Sequence, residues 1–243
     1  MYKVCIVQAR MLSTRLPGKS AMTLAGKPLI YHVLRRVKQA KNVDEVVLAL
    51  PRENADHRAL VGAAADAGCA VVTYLGGPDD LVGRYNWVAG EFKAGIVIRV
   101  PGDNPCVDPD EVDRAVNLFT YTMLDKEERL KPCWQNLVTT LDRDVDGNGY
   151  PGGIGAEVYS RVFLTWLDHN THSQEHREHP HRWAFDNKRI YTMHANHAFS
   201  KPHLRFDVNT ESDLAYVRRI YDGLGEDFRI RDILKFLGES NGQ

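Results

Sequence analysis

The chain has little to staple it covalently and nothing long enough to cross a bilayer. Its four cysteines, Cys5, Cys69, Cys106 and Cys133, lie far apart and form no C-x-x-C pair. That argues against a disulfide framework and for a reducing, cytoplasmic setting. Isolated thiols of this kind read as small buried apolar groups. No apolar run approaches the ~20 residues of a membrane span, and no basic stretch followed by an apolar stretch marks a leader. An excess of one charge is also missing. The 31 basic and 32 acidic residues leave a net charge of -1, so nothing draws the whole chain to nucleic acid or to an anionic membrane. Repeats and low-complexity segments are absent too.

What is present is an alternation of strand and helix signals. Apolar runs at 4–7, 45–50, 70–74 and 96–100 predict buried strands. Helical patterns at 28–40, 53–67, 79–93 and 109–122 separate them. The first helix opens on Pro28 and carries Leu29, Val33, Leu34 and Val37 on one face. This order predicts an α/β fold with a mostly parallel sheet and helices on both faces. With 243 residues, 43% of them hydrophobic, the chain suits a single domain. The pattern loosens after residue 123. There is a charged stretch at 126–131 and a long Asp- and Gly-rich loop at 142–155, a length that is uncommon without a task. Strands are expected at 189–194 and 203–208, and helices at 210–224 and 229–237. Thr210 and Asp213 look like a capping box. Residues 123–200 read as an insertion beside the site.

Three segments carry chemistry. The first is Gln8-Ala9-Arg10-Met11-Leu12-Ser13-Thr14-Arg15-Leu16-Pro17-Gly18-Lys19, which leaves the end of the first strand. Open α/β sheets bind ligands at such strand ends. Arg10, Arg15 and Lys19 bracket a Pro-Gly turn, and three cations on one loop suit a polyphosphate. The loop lacks the glycine patterns of a Walker P-loop and of a dinucleotide fold. The second segment, Arg99 to Pro105, ends the fourth strand. Gly102 permits close backbone approach, and Asp103 offers a carboxylate to a Mg²⁺ ion that also takes phosphate oxygens. The third is Arg205 to Thr210. Alternation puts Phe206 and Val208 on one face and Asp207 and Asn209 on the other, where two side-chain oxygens can complete the shell of the same ion. Asn209 or Thr210 is equally suited to cap the next helix.

Together these motifs, with Gly26-Lys27-Pro28-Leu29-Ile30 and Asn209-Thr210-Glu211-Ser212-Asp213-Leu214, resemble the CMP-sugar synthetase superfamily, and most of all its spore-coat polysaccharide cytidylyltransferase branch. The likeness spans nearly the whole chain. It includes Asp80 to Tyr85, Tyr150 to Gly153 ahead of Glu157, and Arg177-Glu178-His179. The resemblance implies a Rossmann-like nucleotide-diphospho-sugar transferase fold. The implied reaction is attack of an acceptor oxygen on the α-phosphate of CTP, with pyrophosphate leaving. It makes Arg10, Arg15, Lys19, Asp103 and Asp207 the catalytic set, and Asp103, Asp207 and Asn209 the Mg²⁺ ligands. Gln8, Ala9, Ser13, Arg84 and Gly102 join the cationic residues and Asp103 around the nucleotide. Tyr150, Glu157, Arg177 and His179 line up with the acceptor region. The implied acceptor is an acidic sugar of the 2-keto-3-deoxy type, for surface polysaccharide; a phosphonate or another small anion is the alternative. A homodimer, with the insertion at its contact, is implied in the same way. Many relatives carry Asp where this chain has Asn209, a neutral and poorer Mg²⁺ ligand.

Other classes leave weaker traces. His172-Ser173-Gln174-Glu175-His176 matches H-x-x-E-H, which on a helix puts two imidazoles on one face for zinc. Asp142-Arg143-Asp144-Val145-Asp146 contains the Asp-x-Asp of a glycosyltransferase that consumes a nucleotide-sugar. Asn209 alone supports a nucleotide sensor without turnover.

Overall fold

A strand that is apolar at every position belongs at the centre of a sheet covered on both faces, and Val4 to Val7 occupy that place. The structure, a computed structural model, describes residues 1–52, 55–124, 137–139, 149–187 and 191–239. Its strands are β1 (Lys3–Gln8), β2 (Thr23–Leu24), β3 (Lys27–Pro28), β4 (Glu45–Pro51), β5 (Ala70–Tyr74), β6 (Ile96–Pro101), β7 (Leu137–Thr139), β8 (Glu157–Ser160) and β9 (Tyr191–Thr192). Seven of them form one sheet in the order β5-β4-β1-β6-β8-β7-β9, and β2 and β3 form a small hairpin. Strands β5, β4, β1 and β6 run parallel. Among the described strands of this seven-stranded sheet only β8 is reversed, since it is antiparallel to both β6 and β7 while β9 is parallel to β7.

The helices are α1 (Leu29–Val37), α2 (Arg58–Asp66), α3 (Leu81–Glu91), α4 (Pro109–Leu124), α5 (Arg161–Asn170), α6 (Gln174–Glu178), α7 (Pro180–Asp186), α8 (Glu211–Leu224) and α9 (Ile230–Phe236). Side chains alternate across β1. Cys5 and Val7 join a core with residues of α1, α2, α4, α8 and α9, while Val4 and Ile6 join a second core with residues of α3, α5 and α7. The mostly parallel α/β sandwich predicted from the alternation is therefore the fold observed. The connection from β1 to α1 passes over the sheet's carboxyl edge, which puts the cationic loop there.

Boundaries moved where a side chain starts a turn. The helix expected from residue 53 begins at Arg58, whose backbone N–H donates to Asp56 Oδ1 at 2.9 Å. That expected at 79 begins at Leu81, because Asp80 caps it by accepting from the Gly83 N–H at 3.1 Å. Thr210 and Asp213 form the predicted capping box at the start of α8. The strand expected at 203–208 is not one. This segment makes a single parallel bridge, Arg205 with Gly152, and the Val208 N–H turns to the Asp103 carbonyl at 2.8 Å. Its side chains alternate as expected all the same, with Phe206 and Val208 buried. Within 123–200, β7, β8 and β9 extend the central sheet, and α5 to α7 were not foreseen. The charged stretch at 126–131, Cys133 and the Asp142 to Asp146 run lie outside the described residues. Cys5, Cys69 and Cys106 are buried free thiols. No helix among the described residues is long and apolar enough to cross a membrane.

Two features of the frame give measurable consequences. Removing the cap with Thr210→Ala should cost about 1 kcal/mol, read as a lower denaturant midpoint at unchanged m. His32, in α1, is fully buried and bonds the Leu24 carbonyl at 2.6 Å through Nε2. Burial holds its imidazole below the ordinary 6.5, outweighing the pull of that carbonyl and of Glu226. The folded state therefore binds fewer protons than the unfolded one. This stabilisation is complete above pH 6.5 and fades as pH falls below it. Denaturation midpoints should drop between pH 7 and pH 5, with a smaller drop in His32→Gln.

Candidate active site

The cationic loop is shaped by one glycine and closed by its own backbone. Gly18 sits at φ +73, a left-handed conformation that glycine adopts without steric cost, and its N–H donates to the Met11 carbonyl at 2.8 Å. The turn delivers Lys19 into a short 3₁₀ segment (Lys19–Ala21), where the side chain is nearly buried. Across the strand end, Gly102 is equally constrained. A Cβ there would lie 2.4 Å from the Gln8 carbonyl oxygen, the atom that accepts the Gly102 N–H at 2.9 Å. Close approach of β1 and β6 thus sets Asp103 opposite Lys19.

Between these elements lies a cleft of about 480 Å³. The Lys19 ammonium reaches Asp103 Oδ2 at 2.5 Å, the Val208 carbonyl at 2.7 Å and Asn209 Oδ1 at 3.2 Å. Asn209 Nδ2 in turn donates to Asp207 Oδ2 at 2.6 Å, and Arg205 forks onto the same carboxylate at 2.9 and 2.6 Å. Gly153, at φ +85, stands where a Cβ would come 2.6 Å from the Asp207 nitrogen. The three sequence segments therefore converge on one floor. Of the two expected cap residues, Thr210 takes the cap and Asn209 faces the site.

The opposite wall is built on a buried charge pair. Arg99 and Glu157 are register partners on β6 and β8, and their side chains form an ion pair. Arg99 Nε also donates to the Tyr85 hydroxyl at 3.0 Å, while the Tyr159 hydroxyl bonds Glu157. His181 Nδ1 lies 3.2 Å from Glu157 Oε1. Burial alone pushes the Glu157 carboxyl up, but Arg99, then His181 and the hydrogen bonds around it, overcome this and hold it at about 2. His179 is pushed below its ordinary value by burial, and further by His181 and Arg99.

Of the residues singled out from the sequence, Gln8, Ala9, Arg10, Ser13, Arg15, Lys19, Arg84, Gly102, Asp103, Glu157, His179, Asp207 and Asn209 all line this cleft. Two expected residues do not. The Tyr150 side chain is buried in the main core, where its hydroxyl bonds Glu111 and Arg114. Arg177 is spent on structure, donating to Asp80 Oδ1 at 2.9 Å, Asp168 Oδ1 at 2.8 Å and the Thr171 carbonyl at 3.1 Å. Arg99, Arg205, His181 and Arg182 also line the cleft without an individual role assigned from the sequence; His181 and Arg182 fall in the His- and Arg-rich stretch 169–182, which suits an anionic acceptor. A charge inside the apolar run Ile96 to Val100 was the available signal for Arg99. The zinc reading of His172 and His176 fails on geometry. The helix begins at Gln174, past His172, and His176 bonds Asp186 at 2.7 Å. No group of three or more potential metal ligands of the His, Cys, Asp and Glu types occurs among the described residues.

The family model for cytidylyltransferases matches residues 4–230. The chain is 32% identical over 149 residues to the 3-deoxy-manno-octulosonate cytidylyltransferase of Chloroherpeton thalassium, a match covering 60% of this chain and 54% of that protein. It thus spans about half the length of such relatives. It is 27% identical over 234 residues to the spore coat polysaccharide biosynthesis protein SpsF of Bacillus subtilis, covering 91% and 87% of the two chains. A cytidylyltransferase structure from Leptospira borgpetersenii superposes with a TM-score of 0.83 at 23% identity, covering 100% and 98%. A CMP:2-keto-3-deoxy-manno-octonic acid synthetase structure complexed with CTP gives 0.65 at 21% identity, covering 92% and 99%. By the extent of the family match, the chain belongs to the cytidylyltransferases.

Proposed function

We propose that the cleft binds CTP and transfers its cytidylyl group to a hydroxyl of a small anionic acceptor, releasing pyrophosphate. The observation that carries this reading is the meeting of Lys19 with Asp103 and Asn209 beneath the loop that bears Arg10 and Arg15. Phosphoryl-type transfer asks the protein mainly for positioning and charge neutralisation. Arg10 and Arg15 hold the outer phosphates and take up the charge of departing pyrophosphate. Lys19 holds the phosphate that loses its neighbour. Gln8, Ala9 and Arg84 flank the base, with the Arg84 guanidinium anchored on the Pro78 carbonyl.

Asp103 and Asp207 fit a hard cation that shares its shell with phosphate, because Mg²⁺ takes one or two carboxylates and keeps phosphate oxygens and water for the rest. Bound there, the ion supplies Lewis-acid polarisation of the phosphate. Asn209 then orients Asp207 through its Nδ2, and Arg205 braces the far side of that carboxylate.

The Arg182 guanidinium, with the imidazoles of His179 and His181 as hydrogen-bond donors, supports an anionic acceptor. The names of the relatives favour a 2-keto-3-deoxy acid sugar, and a phosphonate meets the same donors. The test is pyrophosphate release with each of the four nucleoside triphosphates, against a panel of acidic sugars, 3-deoxy-manno-octulosonate among them, and phosphonates. We expect turnover with CTP and an acidic sugar, and labelled pyrophosphate returning into CTP when product is present. Consumption of a nucleotide-sugar instead would make the protein a glycosyltransferase. Lys19→Met should lower kcat/KM by ~10²-fold or more. Asp103→Asn should do the same, and extra magnesium should restore part of its rate. Wild-type rates in both variants would refute the assignment of this floor.

A further inference from the structure

The floor of the cleft is electrically balanced by its own side chains. Asp103 has Lys19 at 2.5 Å, and Asp207 has Arg205 at 2.6 Å, so two carboxylates meet two cations. The pairs differ in strength. The Arg205 side chain is 52% exposed and its attraction is screened by water, whereas that of Lys19 is only 10% exposed. Lys19 is also the better embedded. Its ammonium touches three oxygens, from Asp103, Val208 and Asn209. The Asn209 amide is held from its other end, because Nδ2 donates to Asp207, which keeps Oδ1 on Lys19. An ammonium among three oxygens is a filled monovalent cation position. A divalent ion needs more oxygens and a net negative cage, and the side chains here offer neither while Lys19 stays.

We propose that Lys19 occupies the cation position between Asp103 and Asn209, so that the free protein takes no divalent ion and a single ion per chain enters only with the nucleotide's phosphates. The triphosphate brings the negative charge the floor lacks. It draws the flexible Lys19 ammonium off Asp103, and that carboxylate is released to the arriving ion. Asn209, being neutral, leaves Lys19 as the standing second cation. With Asp at this position the floor would carry one more negative charge and would hold an ion without nucleotide. The inference rests on the reading that CTP binds here, but its first half concerns the nucleotide-free protein alone.

The experiment is a Mn²⁺ titration of the full chain, followed by loss of the free-ion electron paramagnetic resonance signal. It is run with Mn²⁺ alone and again with the α,β-methylene analogue of CTP, whose bridging bond does not break. Wild type should bind no Mn²⁺ alone below ~1 mM, and one ion per chain with the analogue. Asn209→Asp and Lys19→Met should each bind Mn²⁺ without nucleotide, at least ~10-fold more tightly than wild type. Far-ultraviolet circular dichroism checks that each variant is folded, and either one suffices. Micromolar Mn²⁺ binding by free wild type, two ions per chain with the analogue, or folded variants that bind Mn²⁺ no better than wild type would each overturn the proposal. If the analogue fails to bind while the nucleotide-free results hold, the CTP reading falls and the role of Lys19 as resident cation stands.

Discussion

One ammonium organises this molecule's business end. Lys19 Nζ joins the loop after β1 to Asp103 after β6 and to the 207–209 segment ahead of α8, three pieces of chain separated by 84 to 190 residues. A nearly buried lysine is tolerated only when its charge is met, and here a carboxylate, a carbonyl and an amide meet it. The constraint works in both directions. The sheet has to bring the ends of β1 and β6 together for the contact to form, which is why Gly102 admits no side chain. Once formed, the contact leaves a strongly polar point that faces open space, and that is where a charged ligand gains most.

The other wall solves a similar problem with different means. Arg99 and Glu157 are both nearly or fully buried, and such a pair is weak evidence for stability, since desolvation offsets most of the attraction. Breaking it from one side is another matter, at about 3–5 kcal/mol for the stranded charge. The pair earns its place through what surrounds it. Tyr85, Tyr159 and His181 satisfy its remaining valences, so the wall is stiff where it borders the cleft. Stiffness of this kind suits a site that works by placement.

Much of this was legible in the residues. The mostly apolar runs gave the parallel strands, and the Pro-Gly turn with its cations gave the loop, because both signals are local. Alternation at Phe206 and Val208 correctly turned Asp207 and Asn209 toward the site although no regular strand forms there. Long-range assignments fared worse. Tyr150 and Arg177 sat in motifs that resemble an acceptor region, yet one hydroxyl is taken by Glu111 and one guanidinium by Asp80 and Asp168. Nothing in the spacing of Tyr150 or Arg177 announces those partners. His181 and Arg182 were legible only as part of the His- and Arg-rich stretch 169–182, because α7 carries no periodic signal strong enough to show which of its residues look inward.

The Asp79-Asp80 pair shows how two walls built separately keep a common register. Asp79 forms an ion pair with Arg10 of the cationic loop, and Asp80 accepts from Arg177 at the end of α6 while capping α3. Adjacent carboxylates thus hold the cationic loop with one hand and α6 with the other. The peptide between them fixes the offset of the two grips to within a bond rotation. Arg177 is therefore placed one residue ahead of Glu178 and two ahead of His179, which line the cleft, without lining it itself. A residue can matter to a site because of whom it restrains, and the placement of Arg177 in the last turn of α6 makes sense only in those terms: its guanidinium is too well satisfied to greet a ligand and too well connected to be incidental.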